Sequence, residues 1–521
     1  MLDELSALLG SGKVSQARSD RLFYSRDLWP RGLLELSDGR PAVRPPRAVV
    51  WPESVEDVTA LVGWARERSV GLVPYGGGSG VCGGAMPDRG QVVVDMKRMD
   101  RILGVEGGGH LVRTQPGVVG WHFERNLNEQ GLTLGHFPSS IFCSTVGGWL
   151  AARSAGQAST RYGKIEDMVT SLQVVTGTGR VLHTGMACGG AAGPFWTQVF
   201  VGSEGTLGII TEATLLVKKM PERAVYRGFQ FPTVADGAEA IRRILQRGLR
   251  PAVVRLYDEF DTVVALSGSE RGSDADRMIR ELVGGVGRLG GRILPWVKTQ
   301  AVRAALSRPE LMNRLVDGVL ARFSNAGCLL VIGCEGTARL AEAEDRAVRE
   351  EVERAGGSDL GPGPGEHWRD HRYSVSFKQS PIFVAGGFVD TMEVATTWDR
   401  IMDLYEAVKH AVGSMAFVMA HLSHAYAEGC SIYFTFASRA ETPEDALDLY
   451  DRVWKEALAA VTRVGATISH HHGVGRSKQD FMVEEHGDVM SLYRSLKGVL
   501  DPDGVLNPGK MGLGVGPGEV A

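Results

Sequence analysis

Between Pro46 and Gly84 the apolar residues change period twice. The runs "RAVV" and "GLVP" have strand length, and between them Val58, Leu61, Val62 and Ala65 recur at the spacing of one helical face. Ser54 with Asp57 three residues later supplies an N-cap signature for that helix. The second strand runs directly into "YGGGSGVCGG", so the stretch predicts a β-α-β unit that ends in a glycine loop. Downstream, "QVVVDM", "HLVRTQPGV" and "SLQVVTGTGRVLHTG" predict strands broken by turns, and "GWHFERNLNEQG" predicts a helix stopped by Gly131. From about Ala224 the pattern shifts to long Arg/Glu-rich helical stretches between short strands such as "PAVVRLY" and "GCLLVIGC", which predicts a second, α+β domain. "GGSDLGPGPGEHW" is too dense in Gly and Pro for either regular structure and reads as a loop. From about Thr442 a helix, then "ATISHHHGVG" and "LKGVLDPDGVLNPGKMG", return to a compact style, and no internal repeat is visible.

A chain of 521 residues is long enough for two or three domains with real cores. The formal net charge of -4 comes with scattered Lys and Arg, so no basic stripe for nucleic acid exists. The six cysteines (Cys82, Cys143, Cys188, Cys328, Cys334, Cys430) form no CxxC pair and no zinc spacing, as expected of free thiols in a reducing compartment. The start "MLDELSALLGSGK" lacks a basic segment followed by a long apolar core, and no stretch approaches the roughly 18 apolar residues of a spanning helix. A cytoplasmic protein is expected, with peripheral contact at the inner face of the membrane as its furthest approach to lipid. "GRILPWVKT" (291–299) mixes basic and bulky apolar residues and suits either an interfacial segment or a buried helix start.

The chemistry begins with "PYGGGSGVCGG" (Pro74 to Gly84). Glycines let successive backbone N–H groups approach a pyrophosphate closely, although an ordinary glycine turn stays open on this evidence alone. The loop is not G-x-G-x-x-G opening a helix, which argues against NAD. Two further segments, "PSSIFCSTVGGWLAARSAGQASTRYGKIEDMV" and "VGSEGTLGIITEATLLV", combine small, hydroxyl and β-branched residues as expected of backbone wrapped around a large planar cofactor.

These three segments together resemble the FAD-binding domain of the vanillyl-alcohol oxidase class of FAD-linked flavoproteins, over roughly Pro46 to Lys219. The resemblance implies an α+β fold with a two-subdomain FAD-binding domain and an α+β cap domain built on an antiparallel sheet. The expected division is an N-terminal helical segment (1–45), the FAD-binding domain (46–223), a substrate or cap domain (224–441) and a C-terminal helical segment (442–521) returning to the flavin site. Carried onto this sequence, the cofactor-binding residues are Pro74, Gly76, Gly77, Gly78, Ser79, Gly80, His136, Pro138, Ser140, Ser144, Thr145, Gly147, Gly148, Ser154, Tyr162, Gly163, Glu204, Gly205 and Ile210. Many relatives attach the flavin to a histidine in the glycine loop; this loop offers Ser79, so non-covalent FAD is expected. Ser139-Ser140 stands where the class has Asp-Ser.

In the second half, "GFQFPTVADGAEAIRRILQRGLRPAVVRLYDEFDT", "HAYAEGCSIYFTFAS" and "SHHHGVGRSK" are similar, segment by segment, to the alkylglycerone-phosphate synthase (alkyldihydroxyacetonephosphate synthase) family. The resemblance implies a transferase of ether lipid biosynthesis. It exchanges the acyl chain of acyl-dihydroxyacetone phosphate for a long-chain fatty alcohol through an adduct at flavin N5, with no net redox. Removing a proton beside a carbonyl and later deprotonating an alcohol suits groups that titrate near neutrality, as histidine does. Three histidines on an extended strand place alternate side chains on opposite faces, so at most two face the flavin. His471 and His472 are the pair expected to line the site, His470 is a further catalytic candidate, and Tyr433 is expected to relay or orient a proton. Arg255 matches an active-site arginine suited to a bidentate phosphate contact, and Lys378 lies near a second basic position. Each has a plain structural alternative, Tyr433 in the apolar run "SIYFTF" above all. "YSRDLWP" and "DPDGVLNPGKM" look instead like the D-lactate and glycolate dehydrogenase group, so an FAD-linked 2-hydroxy-acid dehydrogenase is the alternative. "HLSHAY" (His421, His424) falls short of that group's metal-ligand run, and no metal is expected. A homodimer is in keeping with relatives that dimerise.

Overall fold

The computed structural model describes residues 1–37, 45–185, 190–266, 303–304, 306–314, 327–374 and 380–514. Lys378, Cys188 and the 291–299 segment lie outside the described residues. The chain divides into two compact units, one made of Met1–Gly156, Tyr162–Met220 and Ser469–Ala521, the other of Gln157–Arg161 and Pro221–Ile468.

The first unit opens with β1 (Val14–Ser15), β2 (Ala48–Val50), β3 (Leu72–Tyr75) and β4 (Val92–Asp95), arranged β1-β2-β4-β3 with β2 and β3 parallel to β4. The crossover between β2 and β3 is the helix Val55–Arg68, begun by Ser54, whose hydroxyl accepts the Asp57 N–H at 3.2 Å. Val58, Leu61, Val62 and Ala65 are fully buried and pack with Val50, Leu72, Val92 and Val94. Burying each large aliphatic side chain contributes on the order of 1.5–3 kcal/mol, so the crossover is fixed by its apolar face. Strands covered this way read as continuous apolar runs. The C-terminal segment extends the sheet, with the Leu72 N–H donating to Val505 O (2.7 Å) and the Asn507 N–H to Leu72 O (2.8 Å). The strands β5 (Ile102–Glu106), β6 (Leu111–Thr114), β7 (Leu132–Thr133), β8 (Val169–Val175), β9 (Val181–His183), β10 (Ile209–Leu216) and β11 (Lys218–Lys219) form an antiparallel sheet in the order β5-β6-β10-β8-β9 and the separate pair β11-β7.

The second unit carries β12 (Arg223–Phe231), β13 (Val253–Tyr257), β14 (Cys328–Gly336), β15 (Ser358–Gly361), β16 (Phe388–Thr397), β17 (Phe417–Ala425) and β18 (Gly429–Ser438) in one antiparallel sheet, ordered β15-β12-β14-β13-β17-β18-β16. On one face Leu256 meets the helix Val234–Gln246 at Gly237, and Phe434 stacks on Tyr405 of the helix Ile401–Val412. The other face carries Tyr257, His421, Tyr433 and Glu393 as a cross-strand row. The Gly/Pro-rich stretch expected to be a loop is corrected here: it forms β15 and the helix Gly363–His371. Pro364 falls in the helix's first turn, where no backbone donor is needed, and β15 takes its hydrogen bonds from β12.

Candidate active site

The glycine loop meets the "PSSIFCST" segment at van der Waals range with no room for side chains. A Cβ on Gly77 would lie 1.9 Å from Cys143 O, and one on Gly76 would lie 2.4 Å from Thr145 Oγ1. Gly78 takes φ 64, a left-handed conformation that costs glycine little, over the Tyr75 ring. Lys97 braces the loop from below: its Nζ donates to Gly76 O (2.9 Å) and pairs with Asp95 (2.8 Å). The neighbouring backbone is fixed independently of any ligand. Thr145 caps the helix Val146–Ala152 by accepting the Gly148 N–H, Ser144 Oγ accepts from Trp149 Nε1 (2.8 Å), and the Gly147 N–H donates to Pro116 O (2.8 Å). The Ser140 carbonyl accepts the N–H groups of Cys143 and Ser144, and Pro138 O accepts that of Ile141. Gly80 O accepts the Leu28 N–H, and Gly205, at φ 74, packs on Pro74. Tyr162 is buried against Gly135, Gly163 turns at φ 85, and Ile210 is buried in β10.

His136 is fully buried, its Nε2 paired with Ser154 Oγ (2.9 Å) and its ring tilted on Trp149. Burial, with a smaller contribution from the Lys164 charge, pushes its pKa down to about 3, so it is neutral at all working pH values. Its Nδ1 is buried without a hydrogen-bond partner, a polar atom that a polar cofactor edge satisfies. Bare glycine backbone and this orphan atom fit a large dinucleotide such as FAD.

The triple histidine differs from its expected form. Residues 470–472 follow a bend, and their rings contact one another in sequence, with centroids 5.2 Å apart for His470 and His471 and 4.5 Å for His471 and His472. The reason is the turn that follows: Gly473 (φ 84) and Gly475 (φ 53) reverse the chain, and Ser469 Oγ closes it on Gly473 O at 2.9 Å. His470 Nδ1 and His471 Nδ1 lie 3.0 Å apart, so one donates and the other accepts. Lys164 Nζ donates to His470 O (2.9 Å) while paired with Glu166 (2.9 Å). Glu204, expected at the cofactor, spends its carboxylate here: it accepts the N–H groups of Val474 (2.5 Å) and Gly475 (2.9 Å), while Asn507 Nδ2 donates to its carbonyl (2.7 Å). Burial raises its pKa above the usual carboxylate value.

The two terminal motifs that look dehydrogenase-like meet behind the same loop. Asp27 and Lys510 are buried, burial raising Asp27 to about 6 and lowering Lys510 to about 7, beside the Arg476–Asp88 ion pair. Asp27 Oδ2 comes within 3.8 Å of a Cβ built on Gly80, and Arg476 Cβ within 3.5 Å of one on Gly83. They scaffold the glycine loop.

In the second unit, Arg255 and Tyr433 are brought together through His421. Arg255 Nη2 lies 2.5 Å from His421 Nε2, and His421 Nδ1 lies 2.9 Å from Asp261 Oδ2. The His421 and Tyr433 rings stack with centroids 4.8 Å apart and 19° between planes. Tyr433 OH donates to Thr391 Oγ1 (2.9 Å), and burial pushes its pKa up to about 12, so the phenol keeps its proton at neutral pH. Burial first and the Arg255 charge second hold His421 well below the usual imidazole value. His424 is not its companion: it sits at a bulge between Ser423 and Ala425 with φ 53, its Nδ1 on Ser159 Oγ at 2.8 Å. Asp261 and the roles of His421 and Lys164 were missed from sequence. Counting across the hairpin from the turn at Tyr426–Gly429 would set His421 opposite Phe434; the bulge at His424 shifts the register by one and brings it opposite Tyr433 instead, so its place was not readable from the sequence. Among the described residues no group of three or more His, Cys, Asp or Glu could hold a metal, and no helix is long and apolar enough to cross a membrane.

Fold and cradle define the class, an FAD-linked flavoprotein: the FAD binding domain family matches residues 46–185, and the C-terminal domain of FAD linked oxidases matches residues 220–511. The chain is 31% identical to the alkyldihydroxyacetonephosphate synthase of Dictyostelium discoideum, over 98% of its own length and 80% of that protein. It is 28% identical to the synthase of Trypanosoma brucei brucei, with the same coverage. A solved structure of an alkyldihydroxyacetonephosphate synthase is similar with TM-score 0.74 and 27% identity, over 98% of this chain and 84% of that one. The chain belongs to the alkyldihydroxyacetonephosphate synthase family of FAD-linked enzymes.

Proposed function

We propose that this protein is an FAD-dependent alkylglycerone-phosphate synthase that replaces the acyl chain of acyl-dihydroxyacetone phosphate with a long-chain fatty alcohol, without net redox change. The observation that carries this reading is the histidine turn. The ring that donates through Nδ1 presents, when neutral, an unprotonated Nε2, which can take a proton from the carbon beside the ketone and later from the alcohol. Glu204 and Lys164 hold that turn by its backbone.

The backbone of residues 76–80 and 138–148 would hold FAD non-covalently, and the cofactor would supply the electron-poor ring that this chemistry needs. Tyr433, protonated at neutral pH, donates a hydrogen bond or a proton to the departing carboxylate; it is not a base. Arg255 holds the phosphate, and Lys378 is a second candidate for it. The fatty alcohol requires contact with lipid, so peripheral association with a membrane belongs to this reading, as does a homodimer.

The test is anaerobic incubation of the FAD-loaded protein with acyl-dihydroxyacetone phosphate and labelled hexadecanol, then separately with D-lactate and related 2-hydroxy acids. Labelled ether and released fatty acid with an unbleached flavin are expected. Flavin bleaching by a hydroxy acid with no ether formed would instead make the protein a dehydrogenase.

A further inference from the structure

His421 is held at both ring nitrogens. Arginine has donors and no acceptor, so the contact between Arg255 Nη2 and His421 Nε2 requires a lone pair on that nitrogen. The ring proton therefore sits on Nδ1 and points at Asp261 Oδ2. Both nitrogens are committed, which leaves His421 unable to ligate a metal or to serve as the general base. Its ring face is committed too, lying flat against Tyr433.

Arg255 is the opposite case. Its contacts are the neutral His421 ring and the face of Tyr257, 5.7 Å from the guanidinium carbon. Its Nε is buried without a hydrogen-bond partner, and among the described residues no carboxylate pairs with it. A guanidinium in this state is short of an anion. Strand register explains the geometry: Tyr257 stands opposite His421, so Arg255, two residues earlier, reaches diagonally across to the imidazole from its own place opposite Ser423.

We infer that His421, oriented by Asp261, is a positioning residue that turns the Arg255 guanidinium so that its remaining donors face the phosphate of the substrate. The inference deepens the synthase reading and rests on it. Asp261 fixes the imidazole tautomer, the imidazole fixes the fork, and the fork recognises a phosphate oxygen pair. A lysine in place of Arg255 would have three donors on one nitrogen and would lack the planar fork that meets two phosphate oxygens side by side.

The experiment uses FAD-loaded wild type, H421F and H421Q, with unfolding midpoints as a fold control. Inorganic phosphate and D-lactate are titrated by calorimetry, and KM is measured for acyl-dihydroxyacetone phosphate and for hexadecanol. H421F keeps a flat ring over Tyr433 and loses the acceptor; it is expected to weaken phosphate binding about ten- to a hundred-fold, the scale of a lost charge-assisted hydrogen bond. The KM for the phosphate substrate should rise in step, well beyond any change in the KM for hexadecanol. H421Q, with a carbonyl near the Nε2 position, should recover most of the loss. Phosphate affinity within twofold of wild type in folded H421F overturns the inference, and so does a wild type that binds D-lactate in preference to phosphate. Phosphate binding that falls in H421F while no ether forms would sink the synthase reading and leave the positioning role standing.

Discussion

Replacing Glu204 tests whether the histidine turn is held from outside. The carboxylate accepts two backbone N–H groups, of Val474 and Gly475, in a half-buried setting. Hydrogen bonds to a charged group contribute about 1.5–3 kcal/mol each, so E204A, which leaves two half-buried donors without their acceptor, should cost at most about 3–6 kcal/mol. E204Q keeps one oxygen and turns an amide N–H toward one of those donors, for about 2–4 kcal/mol on the same scale. Glu204 also sits at φ 50; a left-handed residue with a Cβ is strained by roughly 1–2 kcal/mol, so E204G should be less damaging than E204A by about that much. The ordering Ala worse than Gly distinguishes loss of the clamp from simple loss of volume. Denaturant unfolding of FAD-loaded protein gives the energies, and single-turnover ether formation gives the effect on chemistry. A displacement of about 1 Å at the reacting groups costs on the order of a hundredfold in rate, so turnover should fall by at least tenfold in E204A. An E204A protein within about 0.5 kcal/mol of wild type, with turnover within twofold, would refute the reasoning.

Gly77 has no freedom to accept a methyl group, because the obstacle, Cys143 O, is backbone; G77A should purify without FAD, read from the flavin absorbance ratio, whereas G12A, with nothing within 4 Å, should keep it. Full FAD content in G77A would remove the loop from the cofactor site. Asp258 is raised to about 7, chiefly by burial. Its folded pKa exceeds the unfolded one, so its contribution is present at low pH and lost as pH rises from about 4 through about 7. The unfolding free energy from urea titrations should therefore shift in favour of D258N over wild type between pH 5 and pH 8, by on the order of a few kcal/mol; parallel pH curves would show that the carboxyl does not titrate there.

What the sequence disclosed and withheld follows from the range of the interactions involved. The helix Val55–Arg68 was legible because its cap and its apolar face lie within one segment. The glycine loop was legible because crowding leaves only one residue type. The bend at residues 470–472 was not: it precedes a turn at Gly473 and Gly475 that is held in part by a carboxylate some 270 positions away, Glu204, which local periodicity cannot register. β15 and its helix escaped for a similar reason: edge pairing with β12 overrides Gly/Pro composition. Arg255 and Tyr433 were picked out separately, but the histidine between them was seen only as a fragment of a metal-ligand run. Its meaning lies in strand register, β13 against β17 against β18.

The extension of the first sheet by residues 505–507 sets the order in which the chain can finish folding. β3 is made early by the ribosome, yet the backbone groups of Leu72 find their partners only when Val505 and Asn507 have emerged, more than 400 residues later. The glycine loop that leaves β3 is braced by Arg476, whose N–H donates to Cys82 O, and by Asn507, whose Nδ2 donates to Gly84 O, both from the late segment. The first unit is thus begun first and completed last, with the whole second unit synthesised in between. On a nascent chain the cradle therefore stays incomplete throughout that interval, because the groups that finish it are among the last to be made.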